Sequence, residues 1–313
     1  LLAIIPNLPA PSPADYGHAT NAAARTLLAR LYLNAEVYTG TPRYAQAASL
    51  CADVINSNAF SLQNEYKHLF WADNNLSSEI IFPVVYDGLY AQTWGGTTFL
   101  TSAALGGSMT ASDYGTNGKW AGLRVTPMFV DKFPDSTLDA RYQFYTTGQQ
   151  KEITNLGTFT HGYALPKFTN LRSTGGAGSN GGSTPHVDTD FPMFRLADVY
   201  LMYAECAARG AADVGLGLQY LNRVRERAYG NTTYNFASLN LNDIIDERAR
   251  ELHWECVRRT DLIRFNLFTE GDYLWSFKGN STEGQADAPY KKLYPLPTSD
   301  LVLNPNLIQN PGY

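Results

Sequence analysis

Glu247, Glu251 and Glu255 recur at four-residue spacing within residues 244–265, so a helix would stack them in one acidic column. Paired carboxylates are the groups of general acid–base chemistry and of glycoside hydrolysis, provided one acid keeps its proton through burial or a like charge. The same stretch holds ten charged residues, five acidic and five basic. At helical spacing Arg248 reaches Glu251 and Glu255, Glu255 reaches Arg259, Asp246 reaches Arg250, and Asp261 meets Arg258 or Arg264. Carboxylates flanked by guanidinium groups are held ionised and make poor proton donors. The column therefore reads as architecture, with acid–base catalysis as the competing reading. On a single helix over 245–263, Ile245, Ala249, Leu252, Cys256 and Ile263 form the core stripe, and His253 falls outside it.

Other metal or nucleophile signals are weak. His253 has no second histidine one turn away, and Cys51, Cys206 and Cys256 lack the spacing of a zinc site, so they read as buried free thiols. Asp73, Asn74 and Asn75 offer oxygen ligands of the kind calcium takes, but a turn or helix cap explains them better, because no EF-hand-like spacing follows. No other cofactor is expected. The glycine-serine run at 172–185 is not followed by the Gly-Lys-Ser/Thr of a phosphate loop and reads as a mobile linker. A net charge of −5 argues against nucleic acid as a partner. Twenty tyrosines among only 17% charged residues favour neutral polar ligands, since a phenol offers a flat face and a hydroxyl together.

These side chains must be positioned by a mainly α fold. Residues 18–57 read as a helix pair, with Leu27, Leu31 and Tyr38 at helical spacing in the first helix and a break at Gly40 and Pro42. A second pair lies at 194–229. Both opening helices carry Ala, Tyr-Leu and Ala-Glu: Ala29, Tyr32-Leu33 and Ala35-Glu36 against Ala197, Tyr200-Leu201 and Ala204-Glu205. Such pairs predict tetratricopeptide-like repeats. They are packed with a loop-rich region at 80–190 holding a few short strands, in "EIIFPVVY", "RYQFYTT" and "GYALPKF". Residues 194–268 form the helical scaffold, and 285–313 an extended tail too rich in proline for a long helix.

Four stretches then resemble one family. They are the aromatic-Arg-x-Ala-Asp of "FRLAD", the Asn-x-x-Arg of "LNRVRERAYG", the Glu-Arg-x-x-Glu-Leu…Asp-Leu-x-Arg of residues 247–264, and the closing "NPNLIQNPGY". Together with "GHATNAAARTLLARLYLNAEVY" and "SEIIFPVVYD" upstream, they resemble the SusD/RagB family of outer-membrane nutrient-binding lipoproteins. The resemblance implies residues 1–313 to be one SusD-like domain lacking the family's N-terminal part, and membrane association through a lipid anchor on that part. It implies cell-surface display on an outer membrane and binding of glycans without turnover. It also implies delivery of the glycan to a SusC-like TonB-dependent transporter. A peptide- or protein-binding repeat module is the alternative, and a glycoside hydrolase the more distant one. A glycine is usual in the family where Cys256 stands, a small-for-small exchange expected only to tighten packing.

Sugars lay their C–H faces on aromatic rings while their hydroxyls bond to polar side chains, so exposed indoles in loops are the candidate contacts. The segment "YDGLYAQTWGG" offers Tyr90 and Trp94, and "DYGTNGKWAGLR" offers Tyr114, Asn117, Trp120 and Arg124, with Trp275 a third location. Each Trp could instead be a packing anchor. Trp71 and Trp254 are read that way, as is Tyr86 at a strand end.

Overall fold

The computed structural model describes residues 1–313, and no helix in it is long and apolar enough to cross a membrane. The chain divides into two compact units, 1–256 and 257–313. In the first, α1 (Asn21–Leu33), the short α2 (Ala35–Thr39) and α3 (Tyr44–Asn56) make the first pair. The Thr20 hydroxyl accepts from the Ala23 amide to start α1, and Gly40 ends α2 at φ 72°. Strand β1 (Ile80–Val84) leads through α4 (Gly96–Ala103) and α5 (Pro127–Val130) to β2 (Phe191–Arg195). Then come α6 (Leu196–Ala208), α7 (Val214–Tyr229) and α8 (Leu241–Leu252). The second unit holds α9 (Arg258–Arg264) and α10 (Thr298–Leu303).

Helix α1 packs on α3, α3 on α6, and α6 on α7. The small and aliphatic residues shared by the two repeats sit alike, Ala29, Leu33 and Ala35 being sealed as are Ala197, Leu201 and Ala204, whereas Glu36 is exposed and Glu205 is buried. Small side chains on the buried face let these helices approach closely, so the fold is the mainly α, tetratricopeptide-like one expected. The stripe Leu27, Leu31 and Tyr38 faces outward instead, at 38%, 43% and 60% exposure. Strands β1 and β2 pair antiparallel in one two-stranded sheet that carries Pro83 opposite Pro192. Residues 191–195, whose last two open the predicted helix, are thus strand. Of the other predicted strands only an isolated bridge, Tyr145 to Ala164, forms.

The charged stretch is two helices rather than one, because distant side chains satisfy the last carbonyls of α8. Tyr66 and Arg195 both donate to the Glu251 carbonyl at 2.8 Å, and Lys167 donates to that of His253 at 2.5 Å. Trp254 and Cys256 then take positive φ of 58° and 62° and turn the chain. Trp254 packs between two aromatic core clusters, as its reading required. His253 is buried, not peripheral, and Cys256 is exposed, not a core thiol. Its conformation is one that glycine adopts without strain, so cysteine here is a backbone cost and not a packing gain. Cys256→Gly is expected to raise stability by about 0.5–1 kcal/mol, read as a higher denaturant midpoint. In the native protein a thiol reagent should label Cys256 alone, leaving buried Cys51 and Cys206 until unfolding.

Apart from Arg250 in the same helix, the acids of α8 and of the turn after it find their partners across the fold. Arg141, Arg225 and Arg250 converge on Glu247 at 2.6–2.7 Å. Arg195, Arg141 and Arg227 surround Glu251, and Arg195 and Lys167 hold Glu255 at 2.7 Å. Glu79 joins through Arg195 and Arg227, and Asp139 through Arg141. Five carboxylates thus meet six cations in one buried network, which the β1–β2 ribbon supplies with Glu79 and Arg195 at its ends. Arg248 reaches Asp198 at 2.9 Å, and Asp246 meets Lys132 at 2.7 Å. Burial alone would push Glu247 up, but its three arginines pull it down to about 2. Glu251 is likewise held well below the usual carboxylate range by Arg227, Arg195 and Arg141. Burial is the main force drawing Lys167 down to about 8, against the pull of Glu255.

In the second unit Asp261 pairs with Arg264, as the spacing predicts. The tail is less extended than expected. It contains α10, and its closing motif folds back: Gln309 bonds the backbone of Leu296 in both directions, and the Tyr313 hydroxyl donates to the Leu293 carbonyl.

Candidate functional site

Helix α4 is the base of the candidate site. Its first residue, Gly96, stands at φ 56° with the Tyr86 hydroxyl against its Cα, where a Cβ would lie only 1.8 Å from that oxygen. Tyr86 is accordingly half-buried beneath the loop that carries Trp94, and is not a core residue. The segment bearing the second indole crosses the far end of α4. The amides of Trp120 and Leu123 donate to the carbonyls of Ser102 and Ala103 at 2.9 and 2.7 Å. Gly118 permits this approach, since a Cβ there would meet the Ser102 hydroxyl at 2.1 Å.

These two supports bring Trp94 and Trp120 together, with ring centroids 6.0 Å apart and planes inclined by 37°. Their residues are 65% and 39% exposed, so the rings form a surface and not a core. Phe99 extends the cluster 6.3 Å beyond Trp120. On the other side the His186 ring packs 4.7 Å from Trp94 while its Nδ1 bonds the Thr93 carbonyl at 3.2 Å. Neither Phe99 nor His186 stands out in the sequence. His186 directly follows the glycine-serine run, and only the fold of that run carries it to Trp94.

The run itself is tied down, contrary to its composition. Asp73 accepts from the amide and hydroxyl of Ser173, Asp188 accepts from those of Ser179, and Asn180 bonds Thr184 and the His186 carbonyl. Asp73 therefore serves as a loop anchor. Asn74 is buried and bonds the Leu69 and Asp190 backbone.

The remaining predicted contacts divide. Asn117 is exposed and donates to the Ser183 carbonyl at 2.6 Å, which places its amide where the platform meets the glycine-serine loop. Tyr90 is 90% exposed in a turn whose amides the Asp87 carboxylate accepts at 2.7 Å. Tyr114 is half-buried against the Leu105, Met109 and Ala164 cluster, where it packs. Arg124 donates to the carbonyls of Leu156, Thr158 and His161, so its guanidinium clasps a loop in place of presenting itself to a ligand. Trp275 lies in the second unit, half-buried beside Phe268 and the Lys278 amine. Trp71 packs on His68.

Two inclined indoles flanked by amide groups make a curved apolar face with a polar rim. That geometry can stack the C–H face of a sugar and take bonds from its hydroxyls. It contains no acid poised beside a nucleophile, and the glutamates of α8 are consumed in the buried network.

The comparisons with known proteins agree with this frame. A family model described as the SusD family matches residues 78–313. The chain belongs to the SusD family. Among curated relatives, the starch-binding protein SusD of Bacteroides thetaiotaomicron is 34% identical across 97% of this chain, which spans 62% of that protein's length. A SusD superfamily protein of Parabacteroides distasonis superposes with a TM-score of 0.72 at 24% identity, covering 98% of this chain and 65% of that one. Surface glycan-binding protein A of Bacteroides thetaiotaomicron, solved in complex with laminarihexaose, gives 0.73 at 21% identity, covering 97% of this chain and 66% of that one. At those identities the two solved structures speak for the shared fold. Within this SusD-family chain, four charged residues of the motifs quoted from the sequence, Arg195, Arg225, Glu247 and Glu251, meet in the buried network, while Asp198 with Arg248 and Asp261 with Arg264 pair outside it.

Proposed function

We propose that this SusD-family chain binds oligosaccharides over Trp94 and Trp120 without turning them over, displayed at the surface of an outer membrane and anchored there by lipid. The bound glycan passes to a SusC-like TonB-dependent transporter. The exposed, inclined indole pair carries the reading, because adjoining indoles open to water offer a flat amphipathic ligand a face to cover. A starch-binding relative and a glycan-binding structural neighbour support the ligand class. The outward stripe Leu27, Leu31 and Tyr38 favours a second reading, in which the helix pair docks a protein partner.

Titration of the purified chain with malto- and laminari-oligosaccharides and with a peptide panel separates these readings. Saturable heat and a change in tryptophan emission are expected with a glycan, with no release of reducing sugar. Saturation by peptides and by no glycan would remove the carbohydrate reading, and release of reducing sugar would remove the non-catalytic one.

A further inference from the structure

Four rings make up the aromatic platform, and they differ in what they offer a hydroxyl group. Phe99 offers no hydrogen bond, and the indoles of Trp94 and Trp120 offer N–H donors only. His186 is different. Its ring lies 4.7 Å from that of Trp94, inclined by 57°, and its Nδ1 stands 3.2 Å from the Thr93 carbonyl. A carbonyl oxygen cannot donate, so Nδ1 carries the hydrogen of that bond. In the neutral imidazole this leaves a bare lone pair at Nε2.

That lone pair has no partner in the protein. Other unpartnered atoms, such as His253 Nε2 in the core, are sealed from water, whereas His186 Nε2 is not. The residue as a whole is only 8% exposed, so the small part of it that reaches the surface includes the acceptor. Its place is fixed from several sides. Asn180 donates to the His186 carbonyl at 2.6 Å, and a Cβ on Gly88 would lie 3.2 Å from the same oxygen. Pro185 packs against Gly118, two residues before Trp120, where a Cβ would stand 3.0 Å from the proline ring. The segments carrying His186 and Trp120 therefore touch. An acceptor held this way before a ligand arrives spares the ordering cost of binding.

We propose that His186 is a specificity-determining residue of the platform, its Nε2 accepting a hydrogen bond from one hydroxyl of the sugar stacked on Trp94. The site thereby selects glycans with a free hydroxyl at that position. A sugar that lacks it, or carries an ether there, covers the lone pair without satisfying it. The proposal rests on the glycan-binding reading and adds a direction to it. The ring beside Trp94 is an acceptor, whereas Phe99 beside Trp120 is apolar.

Calorimetry and NMR of the ring nitrogens test it together, with maltohexaose and laminarihexaose as probes. His186→Phe keeps an aromatic ring beside Trp94 and removes the lone pair. It should weaken whichever hexaose binds the wild-type chain by about fivefold, the worth of one ordinary hydrogen bond. The wild-type spectrum supplies a readout that packing alone would not move. Of the five histidines, the one whose signals vanish in His186→Phe should show Nδ1 protonated and Nε2 bare at mildly alkaline pH. Saturating hexaose should then shift the Nε2 signal and leave Nδ1 in place. Unchanged affinity in His186→Phe would overturn the proposal. So would an Nε2 that already carries the proton, or an Nε2 signal that saturating hexaose leaves unmoved. In each of these cases wild-type binding keeps the platform reading intact. Failure of both hexaoses to bind the wild-type chain would remove that reading and this proposal with it.

Discussion

Arg195→Met is expected to lower the free energy of unfolding by about 3–5 kcal/mol, because the carboxylates that remain keep their burial and lose their counter-charge. Arg195 is 1% exposed and donates to Glu79 at 2.8 Å, Glu251 at 2.5 Å and Glu255 at 2.7 Å, as well as to the Glu251 carbonyl. Methionine fills most of the same volume, so the loss reports charge and hydrogen bonding more than packing. Lysine would not rescue it, since an ammonium cannot present the planar fork that three carboxylates share here. A urea titration showing a loss below about 1 kcal/mol would mean that the network is relaxed by water or by protonation.

The same network sets the acid limit of the fold. Glu247 in the network, and Asp198 outside it between Arg30 and Arg248, have folded values near 2, against ordinary values of 4.5 and 3.8, after their arginines outweigh the effect of burial. A depressed carboxylate stabilises the fold above its ordinary value, and that contribution disappears as pH falls toward the folded one. Stability should therefore decline between pH 4.5 and about 2. Urea midpoints that stay constant across that window would contradict this account.

The second large effect concerns the platform. Trp94→Ala and Trp120→Ala should each weaken glycan binding about tenfold, and together about a hundredfold, the loss of one stacked ring being worth about 1.4 kcal/mol. Both rings face solvent, so unfolding free energy should change by less than about 1 kcal/mol in either variant. Because the rings adjoin each other, the double variant will show whether one sugar spans both: a shared residue makes the losses non-additive. Unaltered affinity in both single variants would dissociate the indoles from recognition.

Helix pairing was legible because it repeats. Ala29 and Leu33 in α1 and Ala197 and Leu201 in α6 occupy matching sealed positions, and pattern at helical spacing is what a sequence displays best. The charged stretch misled for the opposite reason. Its carboxylates have near neighbours at helical spacing, yet Glu255 is held by Lys167 and Arg195, residues 88 and 60 positions away. The same distant donors end α8 at Leu252, which nothing local in "ELHWEC" announces. Trp94 and Trp120 stand out in the sequence as indoles in glycine-rich loop segments, and the structure places them side by side at the surface. Arg124 misled because its partners are three backbone carbonyls, a role no side-chain pattern encodes. His186 was hidden because a glycine-serine run has no periodicity from which its folded path could be drawn.

The network and the platform have no side chain in common. Trp94, Phe99, Trp120 and His186 rest on α4 and on the run anchored by Asp73 and Asp188, whereas Arg195 and Glu251 lock the helices to the ribbon. The proposed recognition surface is thus detachable from foldability. A library randomised at positions 90, 94, 117 and 120 would explore new ligands on an unaltered chassis.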